Sequence, residues 1–191
     1  MKGIAQAMRR VITGSTLACL AVSAQAGGAL DLSLADDAVR VAYDATQAGS
    51  GLHINLSALH HMDDGNMLGA GVHVVDLRKP HSNLYIGLGA KAFAFDTDHY
   101  SGAALGVGGF FRAALPTQPD VSVAGYAYYA PPVVSFGDAE NLISSDLRAQ
   151  YAVIPTARIY TGYRYNGIRM EGMDKRYKLG DGWHFGLTLD F

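Results

Sequence analysis

The 191-residue sequence predicts an all-β protein: a closed antiparallel transmembrane β-barrel of about ten strands, with eight as the alternative if the first hairpin stays outside the wall. Three observations predict it. Apolar residues recur at every second position in segment after segment, the period of a strand with one apolar face. The chain carries 23 glycines and 11 tyrosines, an unusual pairing for a soluble globule. Beyond the amino end, no apolar run approaches the roughly 18 residues that a membrane-spanning helix needs.

Residues 1–26 read as a signal peptide and residues 27–191 as the barrel. Lys2, Arg9 and Arg10 form a basic leader, Val11 to Val22 is an apolar run too short to span a bilayer as a helix, and Ala24-Gln25-Ala26 is a small-residue cleavage site. Cys19, the one cysteine, falls inside this leader, so the mature chain is expected to carry neither thiol nor disulfide. Lipidation at Cys19 is disfavoured, since Leu17 is one place out of register for that signal. Losing the leader makes the formal charge of −2 more negative. With no long Lys/Arg run, nucleic acid is excluded as a partner.

Leu30, Leu32 and Leu34, then Val39, Val41 and Tyr43, form the first and weakest hairpin around Ala35-Asp36-Asp37. Leu52 to Ala58 alternate with His53, Asn55 and Ser57 up to the turn Asp63-Asp64-Gly65-Asn66. Leu68, Ala70, Val72 and Val74 then oppose Gly69, Gly71 and His73. After Lys79 to Asn83, Leu84, Ile86, Leu88 and Ala90 face away from Tyr85, Gly87, Gly89 and Lys91. Beyond the loop Asp96 to Gly102, Leu105 and Val107 oppose Gly106, Gly108, Phe110 and Arg112. Pro116 and Pro119 interrupt the ladder before Val121 to Ala130.

Pro131 to Asn141 reads as a longer loop, and Pro155-Thr156 as the tight turn between Leu147 to Val153 and Ala157 to Tyr165. Asn166 to Gly182 reads as the longest loop. Long and short connections alternate, as outer and periplasmic turns do in such barrels. Tyr43, Tyr100, Tyr126, Tyr128, Tyr129, Tyr163, Tyr165 and Trp183 lie near strand ends, where an aromatic girdle is expected.

Charged residues fall on the glycine-bearing face, which marks it as the interior. Lys91, Arg112, Arg148, Arg158 and Arg164 with Asp146 and Asp190, and Glu140 as a further candidate, are therefore expected to line a lumen. They would form either a narrow solute path or a paired polar plug, the latter favoured because an eight-strand interior is just filled by side chains. A soluble barrel would put its apolar face inside, and periodicity alone leaves that alternative open.

The last nine residues alternate without a break, with Trp183, Phe185, Leu187, Leu189 and Phe191 on one face. The spacing of His184, Gly186, Leu189 and Phe191 resembles the carboxy-terminal assembly signal of bacterial outer-membrane barrels. Further blocks are Gly87-Leu88-Gly89-Ala90-Lys91-Ala92-Phe93, the glycine-rich run Gly102 to Gly109, Gly125-Tyr126-Ala127-Tyr128-Tyr129-Ala130-Pro131, Gly162-Tyr163-Arg164-Tyr165 and Asp181-Gly182. With them, residues 28–191 resemble the YfaZ family of small outer-membrane proteins. That resemblance implies an outer-membrane barrel and brings no catalytic residue.

Two constellations could carry chemistry. His99-Tyr100-Ser101 resembles the His-any-Ser core of outer-membrane lipid A deacylases, in which His activates Ser against an ester. Gly102 replaces the usual asparagine, and a polar loop explains the triplet as well; the weaker His81-Ser82-Asn83 is explained by a turn. His60-His61 before Asp63-Asp64 is a poor metal site, because adjacent strand residues point to opposite faces. The expected protein is thus a monomeric outer-membrane barrel without cofactor, a structural element or narrow channel. Its expected partners are outer-membrane lipid, lipopolysaccharide and the barrel-assembly machinery; an envelope-lipid hydrolase using His99 and Ser101 is the alternative.

Overall fold

The computed structural model describes residues 27–46, 51–75, 83–170, 172–173 and 175–191. The leader and the turn residues 79–82, including His81 and Ser82, lie outside the described residues. The strands are β1 (Gly28–Leu34), β2 (Ala38–Thr46), β3 (Leu52–His61), β4 (Gly65–Val75), β5 (Leu84–Asp96) and β6 (Ser101–Leu115). They continue as β7 (Gln118–Ala130), β8 (Ser135–Gly137), β9 (Ala139–Ile154), β10 (Ala157–Met170), β11 (Tyr177–Lys178) and β12 (Gly182–Asp190).

The long strands pair antiparallel in the order β1-β2-β3-β4-β5-β6-β7-β9-β10-β12, and β12 returns to β1 through Asp190↔Ala29 to Phe185↔Leu34. The wall is therefore a closed ten-strand barrel, and the eight-strand alternative is incorrect. At seven residues β1 is short, yet it is held on both sides, by β12 and by β2. Closure leaves no open edge, the condition for strands to cross hydrocarbon, where each unpaired backbone group costs several kcal/mol. β8 and β11 are short spurs on β6 and β10.

The two faces of the wall have the polarity of a membrane barrel. Trp183, Phe185, Leu88 and Val74 are 69, 68, 66 and 69% exposed, whereas Asp31, His73, Arg164 and His184 inside are 2% exposed or less. A continuous apolar exterior of this extent far exceeds the few hundred Å² that soluble monomers tolerate. The inverted arrangement of a soluble barrel is ruled out by the same comparison.

The chain termini share one rim with the tight turns at 116–117 and 155–156; the longer connections at 97–100, 131–138 and 171–181 share the other. β7 already begins at Gln118, so Pro119 lies within a strand that was expected to start at Val121. Two segments expected as loop are also strand. β10 runs on to Met170, and Asn166 to Arg169 continue in register with Ser144 to Asn141. Asn166 reads as loop because it is polar, but it faces inward: Ser144 Oγ donates to its Oδ1 at 2.7 Å, and its Nδ2 donates to the Leu179 carbonyl at 3.0 Å. β9 begins at Ala139, and a bulge opposite Arg169 and Met170 drops Glu140 out of the ladder, so it leaves the expected lumen set and lies 3.9 Å from Arg169.

The expected aromatic girdle also needs correction. Tyr129, Tyr163 and Trp183 face outward, but Tyr128 is buried inside, where its hydroxyl lies 2.7 Å from His73 Nε2. Tyr126 is inside too, under the cations of Arg40 and Lys91. Both share the strand parity of Ser122 and Ala124, which proximity to a strand end does not reveal.

Candidate functional site

The interior divides by depth. Its loop-side half is apolar: Leu59, Met67, Phe93, Phe95, Ala104 and Tyr128 pack with Ala130, Leu142, Ile168, Met170 and Leu179, the last five fully excluded from solvent. Leu179 comes from the long connection after β11, held by its N–H donating to the Asn166 carbonyl at 3.0 Å. The same connection is tied across to the β3–β4 turn, where the Tyr177 hydroxyl donates to the Asp64 carbonyl at 3.1 Å. Burial and the nearby carboxylates of Asp64 and Asp98 push the Tyr177 hydroxyl pKa up.

At mid-depth the apolar packing gives way to an ion network centred on Asp31 of β1. Its carboxylate accepts from Arg40 Nη1 at 3.0 Å, Arg148 Nη1 at 2.9 Å, the Tyr160 hydroxyl at 2.9 Å and Thr188 Oγ1 at 2.8 Å. Four donors match the lone-pair capacity of a carboxylate, so a charge with 2% exposure is fully compensated. The donors come from β2, β9, β10 and β12, so the node spans the seam where the first and last strands meet. A second carboxylate, Asp146, sits 2.9 Å from His184 Nε2, 3.6 Å from Arg164 Nε and 4.0 Å from Arg148 Nε. Arg164 donates to Ser33 Oγ at 2.6 Å.

Gly186 of the terminal strand has a physical role in this node. A Cβ there would fall 2.2 Å from Tyr160 Cζ and 2.3 Å from its hydroxyl oxygen, so only glycine lets Tyr160 lie across β12 to reach Asp31. His184 points into the same interior, while Leu189 and Phe191 face out. Phe191 closes the seam through two backbone hydrogen bonds with Gly28, at 2.8 and 2.9 Å, and its ring stacks on Tyr43 with centroids 6.3 Å apart.

Toward the chain-end rim the interior opens into a cavity of about 590 Å³. Lys91, Arg112, Arg148, Arg158 and Asp190 line it, together with Arg40, Asp31, Asp44, His53 and Asn55. Arg158 and Asp190 form a two-pronged pair, with Nη2 donating to Oδ1 at 2.7 Å. Asp44 Oδ1 accepts from Asn55 Nδ2 at 2.8 Å and lies 2.9 Å from His53 Nε2. Lys91 donates to Asn55 Oδ1. Gly69 makes room for it, since a Cβ there would lie 2.5 Å from Lys91 Cε.

All seven expected lumen residues therefore lie inside, but at two places. Lys91, Arg112, Arg158 and Asp190 line the cavity; Asp146 and Arg164 belong to the buried network below it, and Arg148 joins the two. Asp31, Arg40, Tyr160 and Thr188 complete the set and were not anticipated. Their signal was the alternation of Asp31 with Leu30 and Leu32, and of Arg40 with Val39 and Val41, in a hairpin whose pattern is only a few residues long.

The other constellations stay apart. His99 and Ser101 are exposed at the loop rim; the His99 ring lies against Tyr100, and the Ser101 N–H donates to Asp138 at 2.8 Å. His60 is hydrogen-bond partner to Asn66 at 2.8 Å, while His61 Nδ1 accepts from the Asp64 N–H at 3.0 Å. Among the described residues no three His, Cys, Asp or Glu side chains gather as metal ligands.

An apolar-outside, polar-inside closed wall of ten antiparallel strands defines the class of outer-membrane-type β-barrels. The chain belongs to the YfaZ family, whose model, described as "YfaZ precursor", matches residues 8–191. Among solved structures, the crystal structure of outer membrane protease OmpT from Escherichia coli is similar in fold, with a TM-score of 0.54 at 11% identity, covering 87% of this chain and 93% of that one. No curated protein matches the chain.

Proposed function

We propose that this protein is an integral barrel of the bacterial outer membrane whose lumen is closed at the loop rim, making it a structural element of the envelope and not a through-channel. The observation that carries the reading is the apolar cluster, in which Ala130, Leu142, Ile168, Met170 and Leu179 are all at zero exposure across the loop-side half of the interior. Residence in the outer membrane is supported by the apolar exterior and by the family. The family's description as a precursor supports the reading of residues 1–26 as a secretion leader. The lipid-facing side chains of β12 suit contact with outer-membrane lipid, and its terminal spacing suits capture by the assembly machinery.

Membrane fractionation with heat-modifiable gel mobility tests the location: the folded barrel should migrate differently from the boiled chain and pellet with outer membranes. Recovery in the soluble periplasm would refute it. In planar bilayers the wild-type protein should be silent. Discrete conductance steps that shift when Lys91 or Arg112 is neutralised would establish the narrow channel instead.

A further inference from the structure

Among the described residues, the side chains that line the cavity at the chain-end rim do not balance its charge. Its carboxylates are already engaged: Asp31 by four donors, Asp190 by the Arg158 fork, Asp44 by Asn55 and His53. Among the described residues two of its cations have no carboxylate. Lys91, 4% exposed, donates to the neutral Asn55 and otherwise faces the rings of Phe93, Tyr126 and Tyr128 at 5.6, 5.9 and 5.8 Å. The half-buried Arg112 lies over the Tyr85 ring at 5.8 Å. Among the described residues neither forms an ion pair. A self-sufficient plug would match such cations internally, because an uncompensated buried charge is costly.

We propose that the cavity is a binding site for a small organic anion, an acid group carried on an apolar or aromatic body, which enters from the chain-end rim. Arg112, at the open side opposite Tyr85 in the β5–β6 register, offers the planar donor fork that suits a carboxylate or sulfonate. Phe110 and Tyr126 supply an apolar flank for the body, and Lys91 adds a second nitrogen donor at the floor. The volume of about 590 Å³ falls within the roughly 300–1,000 Å³ of small-molecule sites. The closed loop rim fixes only the direction of approach; the charge imbalance stands without it.

The test is calorimetric titration of the full-length folded barrel in neutral detergent, with empty micelles as blank. Naphthalene-2-carboxylate and its uncharged amide are the probes. The carboxylate should bind saturably, at least about tenfold tighter than the amide, with Arg112→Gln weakening it by about tenfold or more and Arg112→Lys by less. Lys91→Met should weaken it too, folding being checked by heat-modifiable mobility. No saturable signal above the blank, equal binding of the amide, or an unchanged affinity in folded Arg112→Gln would each overturn the proposal. A conductance measured in bilayers would refute the closed-lumen reading without altering these outcomes.

Discussion

Asp31 Oδ2 and Arg148 Nη1 lie 2.9 Å apart although 117 positions separate the two residues in the chain. Their strands are not neighbours: β12 and β10 stand between β1 and β9 in the wall. The pair therefore bridges the interior across the seam. Asp31→Ala would leave Arg40 and Arg148 facing each other in a buried site. It is expected to cost about 3–5 kcal/mol in urea titrations of the folded barrel in lipid vesicles. A loss below about 1 kcal/mol would show that the node does not hold the seam.

Gly186→Ala should destabilise the barrel by about 1–3 kcal/mol, because the added methyl occupies the space of the Tyr160 ring. In a Tyr160→Leu background the increment should shrink without vanishing, since the ring is gone but the Leu32 carbonyl oxygen still lies 2.4 Å from the added Cβ. An undiminished increment would place the whole defect at the Leu32 backbone of β1 instead.

Within the apolar cluster, Ile168→Ala should cost about 2–5 kcal/mol through lost burial and a cavity. Val153→Ala, on the lipid side at 56% exposure, should cost much less in the same assay. Comparable losses would mean that the loop-side half is not tightly packed.

Deleting Phe191 removes both hydrogen bonds to Gly28 and the stacking on Tyr43. The folded, heat-modifiable fraction recovered from membranes should fall relative to wild type. An unchanged yield would show that assembly does not depend on the terminal aromatic.

Ser101→Ala should leave the acylation pattern of envelope lipid A as it is with the wild-type protein, read by mass spectrometry. His99 sits in an exposed turn and Ser101 at the exposed start of β6, with Asp138 holding the Ser101 backbone. A wild-type-dependent acylation change lost in the variant would establish the hydrolase instead.

The wall was legible because a strand writes its two faces into alternate residues: Leu84, Ile86 and Leu88 against Tyr85, Gly87 and Gly89 need no further context. The lumen cations followed from the same parity. Depth did not. Phe93, Leu142 and Ile168 occupy inward positions like those of Lys91 and Asp146, and only their height in the barrel makes them a seal instead of part of the polar network. For Tyr126 and Tyr128 the place along the strand points to the girdle, whereas parity turns both inward. Asp31 is hard to read from sequence because β1 offers few alternations and most of its partners lie far along the chain.

The seam also orders events in time. Thr188 reaches Asp31 across 157 positions, so the charge on the first strand gains its full set of donors only when the last strand docks. A partly built wall would hold Asp31 beside Arg40 alone, with Arg148 and Tyr160 still waiting for their acceptor. The first and last strands thus share one latch, and its full set of contacts exists only in the closed wall.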